Sequence, residues 1–168
     1  MGGCVPERWS PNSCLFAMEV SLKILAWNVR GLNSKFKRSL IFDYIKKYKP
    51  HLILLQETHL QGSRVLSLKR AHIAGAYHAS YSSYARGVST LVTKAMPISI
   101  HAVRTDIKGR YVILVVRVLN RFLTFVNLYV PPPFSLAHLD DMIRTTYEVA
   151  EGRIFILGDF NSVRLCSG

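Results

Sequence analysis

The stretch from Leu22 to Asn28 places Leu22, Ile24, Ala26 and Asn28 on one face of an extended chain, the two-residue period of a β-strand. Gly31 and Asn33 break that period. Ser34 then predicts an N-cap for a helix reaching about Tyr48. Phe36, Leu40, Ile41, Tyr44 and Tyr48 line its expected buried side, and Lys35, Arg38, Lys46 and Lys49 face solvent. Pro50 ends the helix, and His51 to Glu57 reads as a short, continuously apolar strand that completes a β-α-β unit. The middle of the chain changes character. Tyr77 to Tyr84, Val88 to Thr93, Ile98 to Arg104, Tyr111 to Val118 and Phe122 to Tyr129 predict short strands, with Leu119-Asn120-Arg121 as a tight hairpin connection. Pro131-Pro132-Pro133 closes that series. A helix is expected from about Leu136 to Ala150, burying Leu139, Met142, Ile143 and Tyr147, before a last strand over Ile154 to Leu157. Alternating helices and strands at both ends, with antiparallel strands between, predict an α/β fold: a mixed sheet or a pair of sheets covered by helices.

Residues 1–20 contain Gly2, Gly3, Pro6 and Pro11 without either period, and read as a poorly ordered leader in which Met18 is an alternative start. The Gly2 position lacks the Ser or Thr of an acylation motif, because Pro6 stands there. At 168 residues the chain suffices for one well-buried domain. Apolar runs such as Val112 to Val116 are too short to span a bilayer, and no signal-peptide pattern is present. The expected setting is therefore intracellular, nuclear or cytoplasmic, with no membrane and no protein partner implied. Charge adds a direction: 22 Lys and Arg stand against 10 Asp and Glu, a formal +12, which favours a polyanion such as DNA. Cys4, Cys14 and Cys166 all lie in the terminal segments, which speaks against a disulfide framework and against zinc.

Four predicted strands end on polar residues out of keeping with the apolar run before them. They are Asn28, Gln56-Glu57, Asn127 with Tyr129, and Asp159 with Asn161. Burying such groups costs free energy unless they are hydrogen-bonded or bind a ligand. Singly, each has a structural explanation: Asn28 as a turn cap, Glu57 as the partner of a Lys, Asp159 as an Asx-turn residue after Gly158. Gathered at one end of neighbouring strands, they make a site. Oxygen ligands without usable Cys favour Mg²⁺ or Mn²⁺, with Glu57 as the metal ligand, alone or with Asp159. Asp159 is then placed to orient or deprotonate a water, Asn161 and Asn28 to fix a phosphate, and Tyr129 to donate to developing charge. Arg30, Lys35, Lys37 and Arg38 read either as phosphate contacts beside the site or as a solvated helix face. Tyr81, Tyr84 and Arg86 read either as a stacking loop or as a packed hairpin.

Trp27-Asn28-Val29-Arg30-Gly31-Leu32-Asn33, Leu55-Gln56-Glu57-Thr58-His59, Asn127-Leu128-Tyr129-Val130-Pro131 and Gly158-Asp159-Phe160-Asn161 occur in the order of the endonuclease/exonuclease/phosphatase superfamily. The chain most resembles the endonuclease domain of non-LTR (LINE-type) retrotransposons, through its Gln-Glu-Thr-His and Asn-Val-Arg-Gly-Leu segments. The resemblance implies a four-layer α/β sandwich of two mixed sheets flanked by helices, and Mg²⁺-dependent cleavage of DNA phosphodiesters that leaves a 3′-hydroxyl. It implies Glu57 as metal ligand, Asn28 on the metal and phosphate side, Tyr129 at the phosphate, and Asp159 with Asn161 positioning the nucleophile. Arg30, Asn127 and Arg86 are the expected phosphate and DNA contacts. The family's late Asp and terminal Ser-Asp-His motif do not follow Asn161, and residues 162–168 do not resemble the expected continuation. The expectation is a domain over residues 21–161 that lacks its C-terminal part and is inactive as it stands. His59 is already part of the family motif, and His51, His72, His78, His101 and His138 fall in predicted loops or surface positions, so none is expected to replace the late His. Two alternatives stay open: a non-catalytic remnant that binds nucleic acid by charge, and a phosphodiesterase or phosphatase of this fold with another substrate.

Overall fold

A computed structural model describes residues 21–161; the expected leader and the 162–168 tail lie outside the described residues. The elements run β1 (Ile24–Asn28), α1 (Lys35–Tyr48), β2 (Leu52–Gln56), a 3-10 helix (Gly62–Leu68), β3 (Ile73–Ala79), β4 (Val88–Thr93), β5 (Ile98–Thr105), β6 (Tyr111–Val118), β7 (Arg121–Tyr129), α2 (Leu136–Val149) and β8 (Arg153–Asp159). They form two four-stranded sheets, ordered β1-β2-β4-β3 and β5-β6-β7-β8. Each sheet contains one parallel pair joined by a helix, β1-α1-β2 in the first and β7-α2-β8 in the second, and its other pairings are antiparallel.

Strand alternation builds the layers. Leu52 and Leu54 of β2 point inward with Leu114 and Val116 of β6 and Phe125 of β7, filling the space between the sheets. Ile53 and Leu55, on the opposite face of β2, pack under Ile41, Phe42 and Ile45 of α1. Ile113, Val126 and Leu128 similarly face Met142 of α2. The result is the expected four-layer sandwich, helix on sheet on sheet on helix. No helix among the described residues is long and apolar enough to cross a membrane.

Both helices begin near the expected residues, but they turn different faces to the core. Ser34 caps α1, its hydroxyl accepting the Lys37 N–H at 3.3 Å, and Lys49 closes the helix in a left-handed conformation. Its buried residues are Ile41, Phe42 and Ile45, whereas Phe36, Leu40, Tyr44 and Tyr48 are exposed. These four recur every four residues and form a consistent apolar stripe, but β1 is the last strand on that side of the sheet. Tyr44 consequently meets the edge of the Trp27 ring, at 5.4 Å between centroids, and its hydroxyl accepts from Tyr48 at 2.8 Å. In α2 the buried residues are Met142 and Thr146, with Leu139 packed partly against the core; Ile143 and Tyr147 are exposed. The expected Tyr77–Tyr84 strand also lies elsewhere. β3 covers Ile73–Ala79, and Tyr81 and Tyr84 belong to the loop before β4. The 3-10 helix before β3 carries no periodic signal in the sequence.

Candidate functional site

The two parallel pairs bring their C-terminal ends to the same side of the sandwich. Asn28 is in register with Gln56 at the end of the first pair, and Tyr129 with Asp159 at the end of the second. Ligands gather at the carboxyl ends of parallel strands because the chain must leave the sheet there through loops. The Asn28 amide joins the two pairs, Nδ2 donating to Glu57 Oε1 at 2.8 Å and to Asp159 Oδ2 at 2.6 Å. Its Oδ1 accepts the Arg30 N–H at 3.0 Å, which fixes the orientation of the carboxamide. Two acids from different sheets are thereby held around one donor, in a half-buried setting where their repulsion is weakly screened.

The backbone around this cluster is unusual. Arg30, Glu57, His59, Arg86 and Asn161 all have positive φ without being glycine. Such conformations persist only where surrounding bonds determine them, and they concentrate at functional sites. Here the bonds run between loops. Gly31 N–H donates to the Glu57 carbonyl at 2.6 Å, Thr58 N–H to Gly87 at 2.9 Å and His59 N–H to Arg86 at 3.0 Å. Asp159 Oδ1 accepts the Asn161 N–H at 3.0 Å, and Asn161 Nδ2 donates to the Val130 carbonyl at 2.9 Å. Gly31 must be glycine because a Cβ would lie 3.0 Å from the His59 ring at a φ of +87°.

Tyr129 is buried at the end of β7, its N–H donating to the Arg110 carbonyl at 2.7 Å. Burial, then the neighbouring Glu57 carboxylate and Asp159, push its phenol up to about 12 against the opposing charge of Arg86. The hydroxyl therefore keeps its proton at neutral pH. His59 lies 3.8 Å from Glu57, and burial holds its imidazole below the ordinary value despite the pull of that carboxylate.

Several expected contacts have other employment. Asn127, expected at phosphate, is fully buried between the sheets. It accepts from Gln56 Nε2 at 2.7 Å and donates to Ser89 O at 3.0 Å and to Leu55 O and Thr90 Oγ1 at 3.3 Å each. It shares a face of β7 with Tyr129 but lies two residues deeper, where its amide pins one sheet to the other. Lys37 donates to the Arg30 carbonyl at 2.8 Å, and Arg38 to the carbonyls of Leu32 at 2.6 Å and Asn33 at 2.8 Å. Both hold the loop after β1 instead of facing outward. Arg30 is exposed beside the cluster, and the Arg86 guanidinium lies over the Tyr81 ring, 4.4 Å from its centroid. His78 is neither in a loop nor at the surface. It sits half-buried on β3, bonded to Ser89 Oγ at 2.6 Å and the Leu60 carbonyl at 3.0 Å.

Sequence reasoning passed over a buried clasp beneath the site. Arg110 pairs with Asp106 at 2.6 Å and with Asp141 of α2 at 2.6 Å. Its backbone carbonyl is the acceptor for Tyr129, and the adjacent Gly109 carbonyl accepts the Gly87 N–H at 3.0 Å. An Asp four residues before an Arg, in the gap between the strands predicted over Ile98–Arg104 and Tyr111–Val118, was the available signal.

The donor set suits a hard cation. Among the described residues no group of three or more His, Cys, Asp or Glu gathers that could hold a metal ion, so the candidate donors are the two carboxylates alone. Two carboxylates flanked by an amide fit a divalent cation that takes one or two carboxylates and retains several waters. Glu57 and Asp159 are the residues fitted to hold it.

Residues 25–166 match the model of the Endonuclease/Exonuclease/phosphatase family. Among solved structures, D. rerio TDP2 complexed with a single-strand DNA product superposes with a TM-score of 0.63 at 21% identity, over 85% of this chain and 62% of that one. AP endonuclease LMAP from Leishmania major gives 0.58 at 20% identity, covering 82% of this chain and 54% of that one. An AP endonuclease from Archaeoglobus fulgidus gives 0.58 at 16% identity, covering 84% and 58%. The chain thus spans less than two thirds of each of these three.

Proposed function

Because the chain belongs to the Endonuclease/Exonuclease/phosphatase family, we propose that it carries a Mg²⁺-dependent centre for hydrolysing DNA phosphodiesters, of the type found in LINE-type retrotransposon endonucleases. The observation that carries this reading is the Asn28 amide bonded to Glu57 at 2.8 Å and to Asp159 at 2.6 Å. Glu57 and Asp159 would hold a Mg²⁺ ion, which would supply positive charge to a phosphoryl oxygen. Asp159 accepts the proton of a water whose oxygen bonds to phosphorus as the bond to the 3′ oxygen breaks, and that oxygen takes a proton from solvent, leaving a 3′-hydroxyl and a 5′-phosphate. Tyr129, protonated at neutral pH, donates to the charge that develops on phosphorus-bound oxygen. Arg30 and Arg86 add cationic charge at the rim, and the formal +12 of the chain favours DNA over a neutral substrate. A neighbour complexed with single-strand DNA product supports nucleic acid as the ligand class.

A plasmid-nicking assay tests the reading. The chain should nick supercoiled DNA with Mg²⁺ and stop in EDTA, and Glu57→Ala and Asp159→Ala should each slow nicking at least about 100-fold. Nicking that survives both substitutions overturns the assignment. The outer edges of β1 and β8 are unpaired among the described residues, with Phe155 and Ile156 part-exposed on β8. That arrangement favours a second reading, a charge-driven DNA binder without catalysis. Salt-sensitive DNA binding by a chain inert in Mg²⁺ selects it.

A further inference from the structure

At the other end of β2 from Glu57, roughly 16 Å of strand away, the end of α1 and the starts of β2 and β3 enclose a second space. It is a cavity of about 280 Å³, with Ile45, Pro50 and Ile53 on its inner side and Lys46, Lys49 and Lys94 at its edge. We propose that this cavity binds a small, rigid amphipathic anion, one or two fused rings bearing a carboxylate, with the rings among the apolar residues and the carboxylate against the lysines. The site is separate from the carboxylate cluster and does not depend on the DNA-cleaving reading.

Three observations carry it. The first is how the lining divides. Ile45, Pro50 and Ile53 are buried, whereas the three lysines are exposed. A lysine lays its methylene stem along apolar surface and keeps its ammonium in water, so these residues extend the apolar wall and gather charge at its mouth. An ammonium there attracts a carboxylate and also the face of an aromatic ring. The second is the lack of opposing charge. No Asp or Glu lines the cavity, and among the described residues none of the three lysines is in an ion pair. The His72 imidazole in the same wall is held below its ordinary value by burial, then by Lys46 and Arg70, and is neutral at pH 7. The third is that the walls are already tied together. Thr93 Oγ1 donates to the Pro50 carbonyl at 2.9 Å, Thr93 N–H to the His51 carbonyl at 3.0 Å and Lys94 N–H to the His72 carbonyl at 2.9 Å. The left-handed Lys49 donates its N–H to the Lys46 carbonyl at 3.3 Å, which occupies one of the carbonyls at the helix end that would otherwise repel an anion. A wall fixed before binding spares a ligand the cost of ordering it. The volume, just under the roughly 300–1,000 Å³ of drug-sized sites, suits a small ring acid and not a long acyl chain.

The test is a ¹⁵N NMR titration of the full chain with 2-naphthoate. The amides of Lys49, Thr93, Lys94 and Ala95 should shift saturably with a Kd of about 1 mM or tighter. The uncharged 2-naphthylmethanol should bind at least about tenfold more weakly, and Lys46→Ala combined with Lys94→Ala, both at exposed positions, should weaken naphthoate about tenfold. Ala95→Trp, at an exposed turn position on the cavity wall, should abolish the shifts while leaving the rest of the spectrum in place. No saturable shift at these amides overturns the proposal, as does equal affinity for the uncharged analogue or binding that survives both the lysine and the tryptophan variants. Acetate binding there as tightly as naphthoate, or a short DNA duplex displacing naphthoate, also overturns it, because the lysines would then meet charge without an apolar body.

Discussion

Replacing Asn127 by Ala separates a structural amide from a phosphate contact. The carboxamide is fully buried and bonded to Gln56, Leu55, Ser89 and Thr90. Its loss leaves the Ser89 and Leu55 carbonyls each short of a donor, while Gln56 keeps its bond to the Leu54 carbonyl at 3.1 Å. About three bonds at ~1 kcal/mol each give a cost of about 3 kcal/mol, and the small cavity left between the sheets adds about 1 kcal/mol. With a urea dependence of about 2 kcal/mol per molar, the unfolding midpoint should fall by about 2 M. DNA affinity, measured without denaturant where the variant is still folded, should stay within about twofold of the parent, because the amide reaches no surface that DNA can touch. An unchanged midpoint together with at least a tenfold loss of DNA affinity would refute this account of Asn127.

Other substitutions probe the rest of the frame. Ile45→Ala should cost about 2–4 kcal/mol in urea unfolding, whereas Leu40→Ala, on the exposed stripe of the same helix, should cost under about 1 kcal/mol. Gly158→Ala should give little folded protein by circular dichroism, since a Cβ would run into the Leu128 carbonyl of the neighbouring strand and the φ of +148° is itself unfavourable. Burial alone would raise the Asp106 carboxyl, but the Arg110 side chain and the N–H groups of Lys108 and Arg110 outweigh it and hold the group below 3.8. Its contribution is therefore present above the unfolded-state value and is lost as pH falls through the lower folded one. Asp106→Asn should flatten that acid limb and cost about 3 kcal/mol at neutral pH, read by urea midpoints at several pH values.

Much of the site was legible because each β-α-β unit announces itself locally. An apolar run, a break, an amphipathic stretch and a second apolar run predict β1-α1-β2 from Leu22 to Glu57, and the polar residues at the strand ends stand out against those runs. What the sequence withholds is which neighbour each face meets. The Phe36, Leu40, Tyr44 and Tyr48 stripe is as periodic as a buried one, but a helix buries the side that lies over strands, and β1 is the edge. Asn127 and Tyr129 share a motif and one face of β7, yet the first lies two residues deeper, where β2 and β4 bury it and use up its amide, and the second lies at the strand's end beside Glu57. Tyr81 to Tyr84 read as the end of a strand because aromatic residues favour strands, although Ser82 makes the turn that places both tyrosines beside Glu57.

The central claim is that Asn28, Glu57, Tyr129 and Asp159 form one centre that cleaves DNA phosphodiesters. Its most direct test is single-turnover cleavage of an end-labelled DNA in Mg²⁺ by the parent and by Asn28→Ala, Glu57→Gln, Tyr129→Phe and Asp159→Asn, with the product ends identified by polymerase extension. The account predicts extendable 3′-hydroxyl ends from the parent and rates at least about 100-fold lower for Glu57→Gln and Asp159→Asn. No Mg²⁺-dependent cleavage by the parent, or cleavage by both carboxylate variants at the parental rate, would contradict it.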